Sequence, residues 1–288
     1  MYRTISTLCL VGAVIFILAS LPLTVTIFGD SLLIEWSIIY DKTLAYFNGV
    51  LSGESFTYTE GKDRTQHFFA DVPSHFMTSF LYLLVAALIA ISLSLVLSIW
   101  VSLTKKEWVK DVIGFLSVIP DFIMIIFLQL VVVYIYEEYG VAVSRVATKS
   151  SEEPAVLLPL IVMILIPLIY LIRNLSERTF DVMGEDYILN AKAKGIRRLP
   201  IIFNHVIRNV LPFLKADLHK ILAIMMSNLF IVEYLFNING LSAFIFNNYS
   251  YQFNLTVNTL IALMVVYMLL YLCLTLFIRF LERIFAND

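Results

Sequence analysis

Few residues in this 288-residue chain have chemistry to offer, and they are concentrated in a few places. Asp121 and Glu233 stand within or near apolar runs, where an ionisable group is costly and is read first as part of a functional site. Two such carboxylates could form a proton relay. Local hydrogen bonding is an equally good reading, because Asp121 follows Pro120, which frees backbone groups, and Glu233 falls near the outer end of its helix. His205 has no second ligand at metal spacing and no nucleophile beside it, so a capping or hydrogen-bonding role fits it better than catalysis. The chain contains no Gly-rich phosphate loop followed by Lys-Ser/Thr, no His-Glu-x-x-His and no Gly-x-Ser-x-Gly. Neither a Ser/His nor a paired-Asp constellation of an intramembrane protease stands out. The chain is therefore expected not to be an enzyme. Cys9 and Cys273 both lie inside apolar runs, which argues against a disulfide framework and a thiolate metal site.

The largest group of polar residues in the second half is the stretch from Gly184 to Pro212, which holds Lys192, Lys194, Arg197, Arg198, Arg208 and His205. From Asp186 to Lys194 the pattern predicts an amphipathic helix, with Tyr187, Ile188 and Ala191 at helical spacing. Glu185 and Asp186 suit the positive end of its dipole, and Gly195 suits its C-terminal cap. A second short helix is predicted from Pro200, a residue tolerated in a first turn, to Arg208, with Pro212 marking the return to the apolar segments. On charge pattern alone, an interfacial helix touching anionic lipid is the more ordinary reading of such a stretch.

The elements that must hold these residues are transmembrane helices. Hydrophobic residues make up 60% of the chain and charged ones 15%, with a mean hydropathy of +0.88, outside the range of soluble domains. The expected fold is an all-α polytopic membrane protein with about six spans, running approximately from Leu8 to Phe28, Met77 to Val101, Val112 to Tyr136, Ala155 to Ile172, Phe213 to Phe236 and Val257 to Phe280. The first run is longer than a usual signal-peptide core, so an uncleaved helix over residues 1–28 is expected. Residues 29–76 form an acidic, aromatic-containing outer loop with room for a short helix or hairpin, and Ser74 is the expected cap of the second span. Residues 77–288 form a core of five spans that carries a polar loop over 173–212. With the N-terminus inside, 15 of the 20 Lys and Arg residues fall on the cytoplasmic side, including Lys105, Lys106 and Lys110 in one short turn. Both termini and the Gly184–Pro212 stretch are then cytoplasmic.

The run D-Y-I-L-N-A-K-A-K-G, with His205 ten residues beyond Gly195 and then R-N-V-L-P, resembles the cytoplasmic loop of ABC-importer permeases of the dipeptide, oligopeptide and nickel branch. S-V-I-P-D-F at Ser117–Phe122, the approach I-R-N-L-S-E-R-T-F-D-V-M-G-E-D-Y and the outer segment V-E-Y-L-F-N-I-N-G-L-S extend the likeness, which runs from about Val72 to the end. The chain departs from the family in three places. Only Ala191 fits the general Glu-Ala-Ala motif, Asp121 replaces a small polar residue, and Ser242 stands where a second glycine is common.

The resemblance implies a type I importer permease in the bacterial cytoplasmic membrane that takes up di- or oligopeptides. It also implies a second homologous permease, two cytoplasmic ABC ATPases that bind ATP and Mg, an extracytoplasmic substrate-binding lipoprotein, surrounding lipid, no nucleic acid, and no cofactor or metal on this chain. The loop would dock on one ATPase, with Ala191 and Gly195 permitting close approach and Glu185, Asp186, Lys192, Lys194 and Arg197 setting polar contacts. Tyr187, His205, Arg208 and Asn209 complete that loop. Met225, Ser227 and Asn228 become pore-lining candidates beside Asp121 and Glu233, with helix packing as the competing reading. Nickel or metal-chelate import is the alternative within the family. A stand-alone secondary transporter or channel that uses Asp121 or Glu233 as its coupling acid is the alternative from another class.

Overall fold

A computed structural model describes residues 2–28, 31–61, 64–104, 107–149, 154–246 and 250–286. Lys105, Lys106 and the acids Asp30, Asp63, Glu152 and Glu153, which entered the loop charge pattern, lie outside the described residues. The helices are α1 (Tyr2–Thr24), α2 (Ser37–Ser52), α3 (Phe68–Leu103), α4 (Glu107–Leu116), α5 (Asp121–Tyr139), α6 (Leu157–Gly184), α7 (Asp186–Ala193), α8 (Arg198–Ile201), α9 (Arg208–Ala216), α10 (Leu218–Leu235), α11 (Ala243–Phe246) and α12 (Phe253–Ala286). Two antiparallel hairpins form, β1 (Val25–Phe28) with β2 (Ser31–Ile34) and β3 (Thr57–Glu60) with β4 (Arg64–His67); all but β1 lie, with α2, in the region expected to hold a short helix or hairpin. Five helices, α3, α5, α6, α10 and α12, are long and apolar enough to cross a membrane, and Leu10–Thr24 of α1 forms a shorter apolar segment. The all-helical polytopic architecture stands.

The boundaries differ from expectation wherever a local signal outweighed hydropathy. The run Val112–Tyr136 is not one helix: α4 ends at Leu116 and α5 starts at Asp121. Pro120 has no N–H to donate and disfavours helical geometry in the residue before it, so it sits at the N-cap of α5, where an absent donor costs nothing. The first helix stops at Thr24, because Val25–Phe28 pair with Ser31–Ile34. Conversely, α3 starts at Phe68, and Ser74 lies inside it instead of capping it. Phe68 is buried and its ring packs on Phe244, which anchors the helix well before Pro73. Pro212 likewise falls within α9, and the next span begins only at Leu218.

The chain divides into two compact units. One comprises Met1–Ser79 and Asn239–Val266. Its apolar centre is Ala19, Tyr46, Phe253 and Val257, with Phe16 packed against them. A closed polar ring sits beside this centre: the Tyr46 hydroxyl donates to Asn258 Oδ1 at 2.6 Å, Asn258 Nδ2 donates to the Ser55 carbonyl at 2.8 Å, and Ser55 Oγ donates to the Tyr46 carbonyl at 2.7 Å. Gly49 makes the ring possible, because a Cβ there would collide with Ser55 Oγ. Gln252 acts as a substitute strand for β3, accepting from the Thr59 N–H at 2.8 Å and donating to its carbonyl at 2.7 Å.

The other unit comprises Phe80–Ile238 and Tyr267–Asp288, and α6 is its axis. This helix packs against α4, α5, α9 and α10. It continues twelve residues beyond the expected Ile172 because Leu175, Thr179 and Val182 keep a buried stripe at helical spacing after the fully apolar part ends. Ala90, Val101, Val109, Leu168 and Ile172 form a second apolar cluster that seats α4 by its Val109 face, leaving Trp108, Val112 and Phe115 exposed.

The ring around Asn258 yields a stability test. Asn258→Ala leaves the Tyr46 hydroxyl and the Ser55 carbonyl without partners in a buried place, so the variant is expected to lose about 2–4 kcal/mol of stability. Thermal unfolding in detergent, compared with the unaltered chain, measures the loss.

Candidate functional site

The polar connection between α6 and α10 is built from short, tightly joined helices. α6 ends at Gly184, and Glu185 adopts an extended backbone (φ −65°, ψ 145°) as the N-cap of α7, its carbonyl accepting from the Ile188 and Leu189 N–H groups at 3.0 and 3.1 Å. Asp186 occupies the first turn and Lys192 the last, each with the charge that suits the helix dipole there. At the other end Gly195 takes φ +75°. Its N–H donates to the Lys192 carbonyl at 3.0 Å and the Ile196 N–H donates to the Ala191 carbonyl at 3.2 Å, which together close a Schellman cap. The expected helix and its glycine stop are both present.

The second predicted helix is longer and less regular than expected. It starts at Arg198 instead of Pro200, widens into a π-helical segment over Ile202–Ile207, and continues as α9 to Ala216. One face of this stretch, including Ile201, Ile202, Val206, Val210, Leu211 and Leu214, is buried, which holds the π segment in place. The sequence showed this apolar face, but helical periodicity alone does not register the extra residue in a π turn.

Several predicted residues come together here. Asn209 Nδ2 donates to the Tyr187 hydroxyl at 3.0 Å and to the His205 carbonyl at 2.7 Å, and the Tyr187 and His205 rings meet edge to face with centroids 6.2 Å apart. Burial, with the Glu185 charge as a smaller cause, pushes the Tyr187 phenol up, so it remains a neutral hydroxyl across the physiological range. Lys192 Nζ donates to the Met183 carbonyl at 3.2 Å, tying α7 back to the last turn of α6. Ser102 Oγ donates to the Ser176 carbonyl at 2.8 Å, tying the end of α3 to the same helix. Glu185, Asp186, Lys194, Gly195, Arg197 and Arg208 are exposed.

Ala191 requires a correction. It is buried with Ile188 beneath α7, so the close approach it permits is between α7 and the rest of its own chain. The outward apolar surface belongs instead to Tyr187, Leu189, Ile196 and Leu199, which are 42%, 49%, 43% and 66% exposed. Alanine at one helical position is compatible with either face, and only the packing of Ile188 settles which one is inward. Beside this surface a groove of about 610 Å³ runs between Phe180, Met183, Lys192, Ile196 and Ile202.

The residues marked within the spans do not share a site. Asp121 is the first residue of α5 and no longer a mid-span acid, so its charge lies where the helix dipole favours it. On α10, Met225, Asn228 and Glu233 are buried, with Asn228 and Met225 on the stripe that includes Leu218, Ile221, Leu222, Leu229 and Val232, whereas Ser227 is on the exposed side. Neither amide atom of Asn228 has a hydrogen-bond partner among the described residues. The Glu233 carbonyl accepts from the Ile238 N–H at 2.9 Å and helps to turn the chain after α10. His, Cys, Asp and Glu side chains form no group able to hold a metal ion among the described residues.

A further cluster was missed from the sequence. Arg173, Asn174, Glu177, Arg178, Asp217 and Lys220 line one cavity of about 650 Å³ together with Asp121. Asn174 Nδ2 donates to Asp217 Oδ2, joining α6 to the junction of α9 and α10. In the sequence Arg173, Arg178 and Lys220 counted toward membrane orientation, and Arg173, Asn174, Glu177 and Arg178 toward the family resemblance, but none was read as part of a site. The recurrence of Arg173, Asn174, Glu177 and Arg178 at helical spacing was the available signal of a polar face.

Comparison with known proteins agrees with this architecture. Residues 94–287 match the family model described as "Binding-protein-dependent transport system inner membrane component". Among curated proteins, the "Dipeptide transport system permease protein DppB" of Escherichia coli (strain K12) is 42% identical over 55 residues, covering 19% of this chain and 16% of that protein. Its namesake from Haemophilus influenzae is 33% identical over 91 residues, covering 32% and 27%. That from Bacillus subtilis is 26% identical over 174 residues, covering 59% and 54%. The matches therefore span about half or less of the length of these relatives.

The Schellman cap can be tested directly. A Cβ at Gly195 meets nothing within 4 Å, so the penalty for replacing it is conformational and not steric. Gly195→Val is expected to destabilise the cap by about 1–2 kcal/mol or more, and Gly195→Asn by less, because Asn tolerates left-handed backbone. Faster hydrogen exchange at the Ile196 amide in the valine variant than in the asparagine variant is the expected reading.

Proposed function

The chain belongs to the family of binding-protein-dependent transport system inner membrane components, and from that premise we propose that it is the permease subunit of an ATP-driven importer of di- or oligopeptides. It is a multi-pass membrane protein, and both termini lie in the cytoplasm in this reading. It works with a second homologous permease, two cytoplasmic ABC ATPases and an extracytoplasmic substrate-binding lipoprotein. ATP and Mg act on the ATPases, and this chain contributes no catalytic residue or cofactor. The peptide class is preferred to nickel or a metal chelate because the curated relatives above are dipeptide permeases. In this reading α1 (Tyr2–Thr24) provides the first membrane helix, ending short of the expected residue 28, residues 29–76 the outer segment, and residues 77–288 the translocating core, with the docking loop at 173–212.

The observation that carries the reading is the construction of α7. Its inner face is fixed by Ile188 and Ala191, its end is locked at Gly195, and it is bonded to α6 through Lys192 and to α9 through Asn209. Such an element moves as a unit with the spans on either side, as a coupling element must. The outward side chains of α7, Tyr187 and Leu189, together with Ile196 beyond its cap and Leu199 of α8, offer an apolar docking surface rimmed by Glu185, Asp186, Lys194 and Arg197. An exposed apolar surface of this kind marks a site of contact with another protein or with the membrane.

Leu189→Asp places a charge at the centre of that surface without disturbing the buried side of α7. The variant is expected to insert normally, to bind the ATPase chains weakly, and to reduce dialanine uptake by the reconstituted complex at least tenfold, a loss of about 1.4 kcal/mol or more. Uptake equal to that of the unaltered complex would exclude this surface as the docking site.

A further inference from the structure

The cavity between α5, α6 and α10 is lined by three carboxylates, Asp121, Glu177 and Asp217, and three bases, Arg173, Arg178 and Lys220. Most of these charges are not used up in ion pairs. Arg178 lies 3.9 Å from Asp181, which is outside the cavity lining, and Asp217 accepts from the Asn174 amide. Arg173, Lys220 and Asp121 make no ion pair among the described residues. Arg173 Nη1 donates to the Ser117 hydroxyl at 3.0 Å, and Lys220 Nζ rests 4.7 Å from the centre of the Tyr170 ring. Both bases are thus held in place by neutral groups and keep their charge free for something else. Arg173, Glu177, Arg178 and Lys220 are exposed, and Asp121 and Asp217 are half-buried, so the charges are open to an incoming ligand.

From this arrangement we infer that the cavity is a binding station for a zwitterion, and specifically for a short peptide with free termini. The inference rests on the import reading above. A peptide of that kind carries an ammonium and a carboxylate that cannot neutralise each other at a distance. Arg173 and Lys220 supply charge-assisted donors for the carboxylate, and Asp121 and Glu177 supply acceptors for the ammonium. The lining has no net formal charge, so it favours neither a bare metal cation nor an inorganic anion, and it rejects a peptide blocked at one end by leaving a charge unanswered. A volume of about 650 Å³ falls within the range of small-molecule sites. The apolar side chains of Ile119, Met124 and Ile224 complete the wall and place no demand on the side chains of the cargo.

The test uses the complete reconstituted complex, with the same lipoprotein in every case so that selection outside the membrane is constant. Initial uptake of labelled dialanine is compared among variants of this chain. Arg173→Gln, Lys220→Gln and Asp121→Asn are each expected to reduce it about tenfold, whereas Lys220→Arg and Asp121→Glu keep it within about twofold. Undiminished uptake in the three neutral variants would overturn the inference and leave the import reading intact. So would equal losses in the neutral and charge-keeping variants, which would assign the charges to folding, or loss of the second permease from the purified Lys220→Gln complex, which would assign them to subunit contact. Failure of the unaltered complex to take up dialanine would overturn the import reading and this inference with it.

Discussion

The unbroken course of α6 is the constraint on which the rest of its unit depends. This helix runs 28 residues from Leu157 to Gly184, continuing from a fully apolar segment into one with Arg173, Asn174, Glu177 and Arg178 on one side and Leu175, Thr179 and Val182 buried on the other. In hydrocarbon, a helix satisfies its own backbone groups, and beyond the hydrocarbon only a buried stripe keeps it from ending. Pro167 is accommodated within the buried part without ending the helix. The same helix therefore forms a wall of the charged cavity and, one bend later, carries α7. Under the proposed coupling, movement applied to α7 would reach the cavity through a rod and not through a loop.

The bonds around α7 fit that role. Lys192 holds α7 to the last turn of α6, Asn209 holds it to α9, and Ser102 holds α3 to α6. Each contact is modest by itself, worth about 1 kcal/mol, but together they leave the connection little independent freedom. The polar ring of Tyr46, Ser55 and Asn258 performs a comparable service in the other unit, where no disulfide is available to brace the segment after the first helix.

Much of this was legible in the sequence, for identifiable reasons. Apolar runs of roughly 20 residues have few alternatives to a membrane helix, so five of the six expected spans correspond to helices long enough to cross, the first being shorter. The α7 helix and its end were legible because a glycine after an amphipathic run has a specific backbone use, and Gly195 adopts the left-handed geometry that it alone takes without strain. Hydropathy averages blurred the break before Pro120, although the proline itself signalled it. Three features were out of reach: the inward orientation of Ala191, which depends on what Ile188 packs against; the π segment after Ile201; and the cavity, whose charges come from three helices distant in sequence. Composition recorded those charges, and only the fold brought them together.

The most direct test of rigid coupling through α6 is the number of peptides imported per ATP hydrolysed in the reconstituted complex. Phe180, 63% exposed on the stretch of α6 between the cavity and α7, can be replaced without opening the core. Phe180→Pro removes a helical hydrogen bond there, and Phe180→Ala controls for loss of the ring. The expected result is a ratio that falls several-fold in the proline variant and holds in the alanine variant, and an unchanged ratio with proline would contradict the account.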